Sequence, residues 1–110
     1  MCLMDICTCV ILITELTDLR AVTPYLRHMQ IYEIIKLGRE LHLSYTNLVR
    51  MKHTHTWRDR LLEAMLEAWL LKEDKVCYFP PTWKRLSTAL RKVGQSYVAN
   101  KIMAEKVNRH

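Results

Sequence analysis

The residues best equipped for chemistry in this chain are four cysteines and a pair of histidines. Cys2, Cys7 and Cys9 crowd the amino terminus, Cys77 stands alone, and His53 and His55 flank Thr54 shortly before Asp59. A structural zinc site needs such ligands in repeated short pairs, and a nucleophilic thiol needs a base that a third group orients. Here no Cys-x-x-Cys occurs, no ligand spacing repeats, and no glycine-rich loop or nucleophile motif is present. The sequence therefore assigns no catalytic residue, no metal ligand and no cofactor. Cysteines massed at one end do not make a disulfide framework; they read as reduced thiols of a cytoplasmic protein.

What remains is charge. Residues 1–82 hold ten Lys/Arg and ten Asp/Glu, so the net charge of +6 comes entirely from residues 83–110. There Lys84, Arg85, Arg91, Lys92, Lys101, Lys106 and Arg109 face Glu105 alone. A basic segment of this kind attracts an acidic partner, nucleic acid or an anionic membrane. The longest apolar run, Cys9–Ile13, falls far short of the roughly 20 residues of a membrane span. The amino terminus lacks a basic leader, and Asp5 interrupts its apolar stretch, so it does not read as a signal peptide.

At 110 residues the chain suits one domain with one modest core. Half of the residues are hydrophobic and only two are glycine, which argues against disorder and for helices over many short strands. Leu16, Leu19, Val22 and Leu26 form a first helical stripe; Pro24 inside it either kinks the helix or opens a new turn capped by Thr23. Ile31, Ile34, Ile35, Leu37 or Gly38, and Leu41 form a second. Gly38 costs about 1 kcal/mol in a helix relative to alanine, a cost that points to close approach of another helix. Ser44 caps a short third helix, and residues 52–56 read as a loop in which Thr54 or Thr56 caps the next. Trp57, Leu61, Leu62, Met65, Leu66, Trp69 and Leu70 make the strongest stripe in the chain. Pro80 and Pro81 break it. Thr82 then caps a helix with Trp83, Leu86, Ala89, Leu90 and Val93 inward and Lys84, Arg85, Ser87, Arg91 and Lys92 outward, with Gly94 as its stop. A last helix from Ser96 turns Val98, Ala99, Ile102, Met103 and Val107 inward. Trp69 and Trp83 are expected to meet over one core. Residues 1–13 read as a helical extension, an ordered arm or the tail of a neighbouring region.

Several of these stretches resemble the death-domain family. Leu37-Gly38-Arg39-Glu40-Leu41-His42-Leu43 is similar to the end of that family's second helix. Met65-Leu66-Glu67-Ala68-Trp69-Leu70 resembles its fourth helix with the buried tryptophan. Thr82-Trp83-Lys84-Arg85-Leu86-Ser87-Thr88-Ala89-Leu90-Arg91 resembles its fifth, and Val98-Ala99 with Ile102 its sixth. Ile34 and His42 depart from the pattern, standing where the family often has tryptophan and glycine. The resemblance runs from about Glu15 to Val107. It implies an all-α, six-helix antiparallel bundle in Greek-key order over 14–110, with 1–13 as an extension. It also implies a non-catalytic module that binds other death-domain proteins or itself, as an adaptor in cytoplasmic signal transduction of the apoptotic or innate-immune type.

The charge map suits that role. Glu63, Glu67, Glu73 and Asp74 form an expected acidic patch. Lys84, Arg85, Arg91 and Lys92 form a basic one. Lys36, Arg39 and Glu40 form a mixed patch on the second helix. Acid on one copy meeting base on the next would give a heterologous contact that propagates. The rival reading is a helix-turn-helix domain holding nucleic acid on the basic carboxy-terminal helices. Against it, those cations come without Asn or Gln readers on the same helix, and the acidic fourth helix repels phosphate. Against membrane binding, the basic face lacks exposed apolar residues to insert.

Overall fold

The computed structural model describes residues 16–107, and every regular element among them is helical. The six helices are α1 (Leu19–Leu26), α2 (Ile31–Glu40), α3 (Tyr45–Thr54), α4 (Arg58–Leu70), α5 (Trp83–Lys92) and α6 (Ser96–Ile102). A 3-10 turn spans Asp74–Tyr78, and a π turn over Met103–Val107 continues α6. No helix among the described residues is long and apolar enough to cross a membrane.

Local chemistry explains most boundaries. Ser44 Oγ accepts the Asn47 N–H at 3.1 Å and opens α3, and Thr82 Oγ accepts the Arg85 N–H at 3.0 Å and opens α5. Asp18 Oδ1 accepts the Arg20 N–H at 3.0 Å and opens α1, which then runs through Pro24 without restarting at Thr23. Pro24 is tolerated there because it and Arg20, whose carbonyl loses its helical donor, are both exposed to water. At α2 the Gln30 N–H donates to Glu33 Oε1 at 2.8 Å.

Three helices end in one geometry, in which the backbone turns left-handed and two N–H groups cap the last carbonyls. After α5 the left-handed residue is Gly94 (φ 85°), and Gln95 N–H reaches Leu90 O at 2.8 Å. After α2 it is His42 (φ 76°), with Leu43 N–H on Gly38 O at 3.0 Å. After α4 it is Lys72 (φ 60°), with Glu73 N–H on Ala68 O at 3.0 Å. The last two positions accept strain that glycine would avoid.

The centre of the bundle is α4, which packs on α1, α2 and α3. Leu61, Met65, Leu66 and Trp69 on its inner face are buried against Val22, Leu26, Ile34, Leu37 and Leu48. The second half of the chain closes over this group: α5 packs on α6 and on α2, and α6 reaches back to α1. Polar ties hold the loops. Arg58 donates to the carbonyls of Arg27 and Met29, fixing the α1–α2 loop onto α4. His28 donates through Nε2–H to Gln95 Oε1 at 2.8 Å, and Gln95 Nε2 donates to Glu33 Oε2 at 2.6 Å. Tyr25 donates to Glu105 at 2.6 Å; burial first, and then that carboxylate, push its phenol up to about 12.

Several expectations are corrected. Trp57 is not core: it is the first residue before α4 and is 75% exposed. Residues 52–54 are helix, so α3 is longer than its apolar pattern and neither Thr54 nor Thr56 caps α4. Leu16 precedes α1 rather than lying on it; it is buried, and its N–H donates to Pro81 O at 2.8 Å. Ser87 is buried, not outward, and its hydroxyl donates to Ala99 O at 3.0 Å, tying α5 to α6. Trp83 is half-buried; its ring meets Tyr25 edge-on at 5.6 Å, with the Lys106 ammonium 5.5 Å from its centre. The boundary expected at residue 13 lies outside the described residues.

Three substitutions test this packing. A β-carbon on Gly38 would stand 2.5 Å from Leu48 Cδ2 and 3.2 Å from Met65 Cγ. The gain in helix propensity for Gly38→Ala is about 1 kcal/mol and the overpacking cost about 1–3 kcal/mol, so the variant loses stability in urea denaturation. Trp69→Ala should lose about 3–5 kcal/mol, and Trp83→Ala, half-exposed, about 1–2 kcal/mol in the same measurement.

Candidate functional site

The expected surface residues are all exposed, but the fold regroups them. Glu63 and Glu67, with Asp59 one turn earlier, line one outer face of α4, as their four-residue spacing requires. Glu73 and Asp74 do not extend that stripe. The left-handed residues Lys72 and Asp74 turn the chain back toward α3. There Asp74 Oδ2 accepts the Ser44 N–H and Asn47 Nδ2, each at 3.0 Å, while Glu73 Oε1 accepts Asn47 Nδ2 at 3.2 Å. Arg50 donates to the Asn47 side-chain oxygen. Asn47 is 8% exposed, so this network satisfies a buried amide and fastens the start of α3 to the turn after α4. The backbone bond from Ser44, opposed by partial burial and helped by Asn47, holds the Asp74 carboxyl below its ordinary value.

The basic and mixed patches, expected as two, become largely one. Lys92 Nζ of α5 lies 3.8 Å from Glu40 Oε1 at the end of α2. Lys36, one turn before Glu40, continues this surface. Arg91 is set apart, donating to Asn100 Oδ1 of α6 at 2.6 Å, and Arg39 lies over the Tyr45 ring at 5.3 Å.

Between the end of α2 and α5 lies a groove of about 640 Å³. Lys84, Thr88 and Lys92 recur every four residues along its α5 wall, beside Arg85. Glu40 and His42 form the α2 wall, and Phe79 also lines the groove. Its base is apolar: Leu41, Trp69 and Ala89 are each no more than 3% exposed. Thr82 and Thr88 carry hydroxyls already committed to the α5 backbone, Thr88 donating to Lys84 O at 3.0 Å. His42 stacks on Phe79 with ring centres 3.8 Å apart, a contact that offsets the strain of its left-handed backbone. The Arg85 guanidinium lies 5.4 Å from the centre of the same ring. Burial first, and then Arg85, lower the His42 pKa from its ordinary value; Glu40 opposes them, and Lys92 and Lys75 add to the lowering.

Three cations against one carboxylate, over an apolar base, suit an acidic ligand with an apolar part. Sequence reasoning found the cations but not His42, Phe79 or Thr88. The local signal lay in His42, a non-glycine residue where a helix stops and the chain turns left-handed. Among the described residues no three His, Cys, Asp or Glu side chains come together as metal ligands, and Cys77 is free and exposed. No known family, curated protein or solved structure matches this chain.

The Asn47 network gives a direct test. Asn47→Ala removes the buried amide whose exposed partners Glu73, Asp74 and Arg50 can turn to water, so it should cost about 0.5–1.5 kcal/mol in urea denaturation. Asp74 has a depressed folded-state pKa, so its contribution is complete above its unfolded value of 3.8 and is lost as pH falls through the lower folded value. Thermal melts of wild type and Asp74→Asn should therefore differ at neutral pH and converge as the acid limit is approached.

Proposed function

We propose that this chain is a non-catalytic protein-interaction module of the death-domain type, which joins other death-domain proteins or its own copies in cytoplasmic signalling assemblies. One observation carries the reading. The α4 face Asp59–Glu63–Glu67 is acidic, the α5 face is basic, and both are exposed on helices whose main packing partners lie elsewhere in the bundle. Neither face neutralises the other within the chain, so each is matched best by another molecule. Opposed faces of this kind speed encounter and fix register more than they add affinity.

The helix arrangement supports the same reading. Helices that are not neighbours in sequence pack together, α1 with α4 and α6, and α2 with α4 and α5. A Greek-key return of the chain produces pairings of this sort. Thr82 opens α5 and Trp69 is buried in α4, as the resemblance implies. Acid on one copy and base on the next would make a contact that repeats along an assembly.

The test is light scattering across concentration at two ionic strengths. Self-association should weaken with salt and fall tenfold or more, about 1.4 kcal/mol, in Arg85→Glu and in Glu67→Lys, with helical circular dichroism unchanged. Each variant keeps the face the other has lost, so an equimolar mixture should form a capped pair. Association of both variants equal to wild type would overturn the reading.

A further inference from the structure

We propose that the groove between α2 and α5 is a docking site for an extended acidic segment of a partner protein, with two carboxylates flanking one apolar side chain. The spacing of the walls sets this pattern. Lys84 and Lys92 stand eight positions apart on α5, which at the helical rise is about 12 Å. In an extended segment, positions i and i+4 lie about 13 Å apart and point to the same side. Carboxylates at those positions reach the two lysines, and Arg85 reinforces the first. Position i+2 then falls level with Thr88 and Ala89, over the apolar base of Ala89, Leu41 and Trp69. The segment is therefore acidic–x–apolar–x–acidic.

A second copy fits this groove less well. The α4 face also spans about 12 Å from Asp59 to Glu67, but its central residue is Glu63. That carboxylate would lose water over an apolar base without a cation beside it, an unfavourable exchange. A phosphate backbone meets the same objection, since it brings charge but no apolar group to the base. Glu40 sets a further limit. It is paired with Lys92 at 3.8 Å, so an incoming carboxylate shares that lysine and favours a segment of modest charge over a polyanion. This docking is separate from the self-association proposed above: both use Arg85, but there the α4 carboxylates stay at the solvent-exposed tips of the α5 cations and do not enter the groove.

The probe is a fluorescein-labelled peptide containing Glu-Ser-Leu-Ser-Glu between Gly-Ser ends, titrated with the full chain by fluorescence anisotropy. Saturable binding is expected that weakens at least tenfold when both glutamates become glutamine and at least fivefold when the leucine becomes serine. Lys84→Glu and Thr88→Glu, both at exposed positions, should each abolish it while circular dichroism stays unchanged. Glu67→Lys, which removes the acidic α4 face but leaves the groove intact, should keep it. Loss of self-association in Glu67→Lys with peptide binding retained separates the two proposals. The docking proposal is overturned by the absence of saturation, by equal affinity for the glutamine or serine peptides, or by tighter binding of polyglutamate, duplex DNA or anionic vesicles.

Discussion

The bundle depends on the close approach of three helices at Gly38. Leu48 of α3 and Met65 of α4 fill the space where any larger residue of α2 would place its side chain. The cost of a glycine inside a helix is about 1 kcal/mol, and burial of Leu48, Met65, Ile34 and Leu37 against one another offsets it. With α2 and α3 drawn onto α4, the inner face of α4 is covered and Trp69 lies at the edge of the core. There its ring forms part of the base of the α2–α5 groove. The packing constraint and the candidate binding surface are therefore joined through one side chain.

Polar contacts act where this core stops. The loops are short, and their backbone groups need partners. Arg58 supplies them for the α1–α2 loop, while side-chain pairs, Asn47 with Asp74 and Gln95 with Glu33, tie the turn after α4 to α3 and the α5–α6 junction to α2. Each of these residues comes from a helix or loop distant in sequence from what it binds. Two of the expected acidic surface residues, Glu73 and Asp74, are drawn into this work. The acidic face that remains on α4 is narrower and more regular for it. The basic surface changes in outline: Arg91 is drawn to Asn100, and the end of α2 brings Glu40 and His42 beside Lys84, Arg85 and Lys92.

Much of the fold was legible because its causes are local. Apolar spacing located all six helices, and Ser44, Thr82 and Gly94 marked their ends by hydrogen bonds or backbone freedom within a few residues. The failures were of another kind. Trp57 fits the α4 stripe by spacing, yet it precedes the helix and no neighbour covers it. The polarity of Ser87 points outward, but it follows Trp83 by one helical turn and finds its acceptor in Ala99, twelve residues away. The end of α3 is hidden in the sequence because polar residues 52–54 give no apolar period, although helix needs none once its neighbours are ordered.

The sequence by itself determined the all-helical class, the apolar faces and the segregation of charge toward the carboxy-terminal helices. These follow from residue type and periodicity, which act over one or two turns. Only the tertiary structure decided which charges stay free for a partner and which become internal ties. It also decided that Lys84, Arg85 and Lys92 share a groove with His42 and Phe79 over a buried tryptophan. The physical reason is distance: the strength of an ion pair, the desolvation of a carboxylate and the stacking of two rings depend on separations of a few ångströms between residues tens of positions apart, and these exist only once the helices have packed.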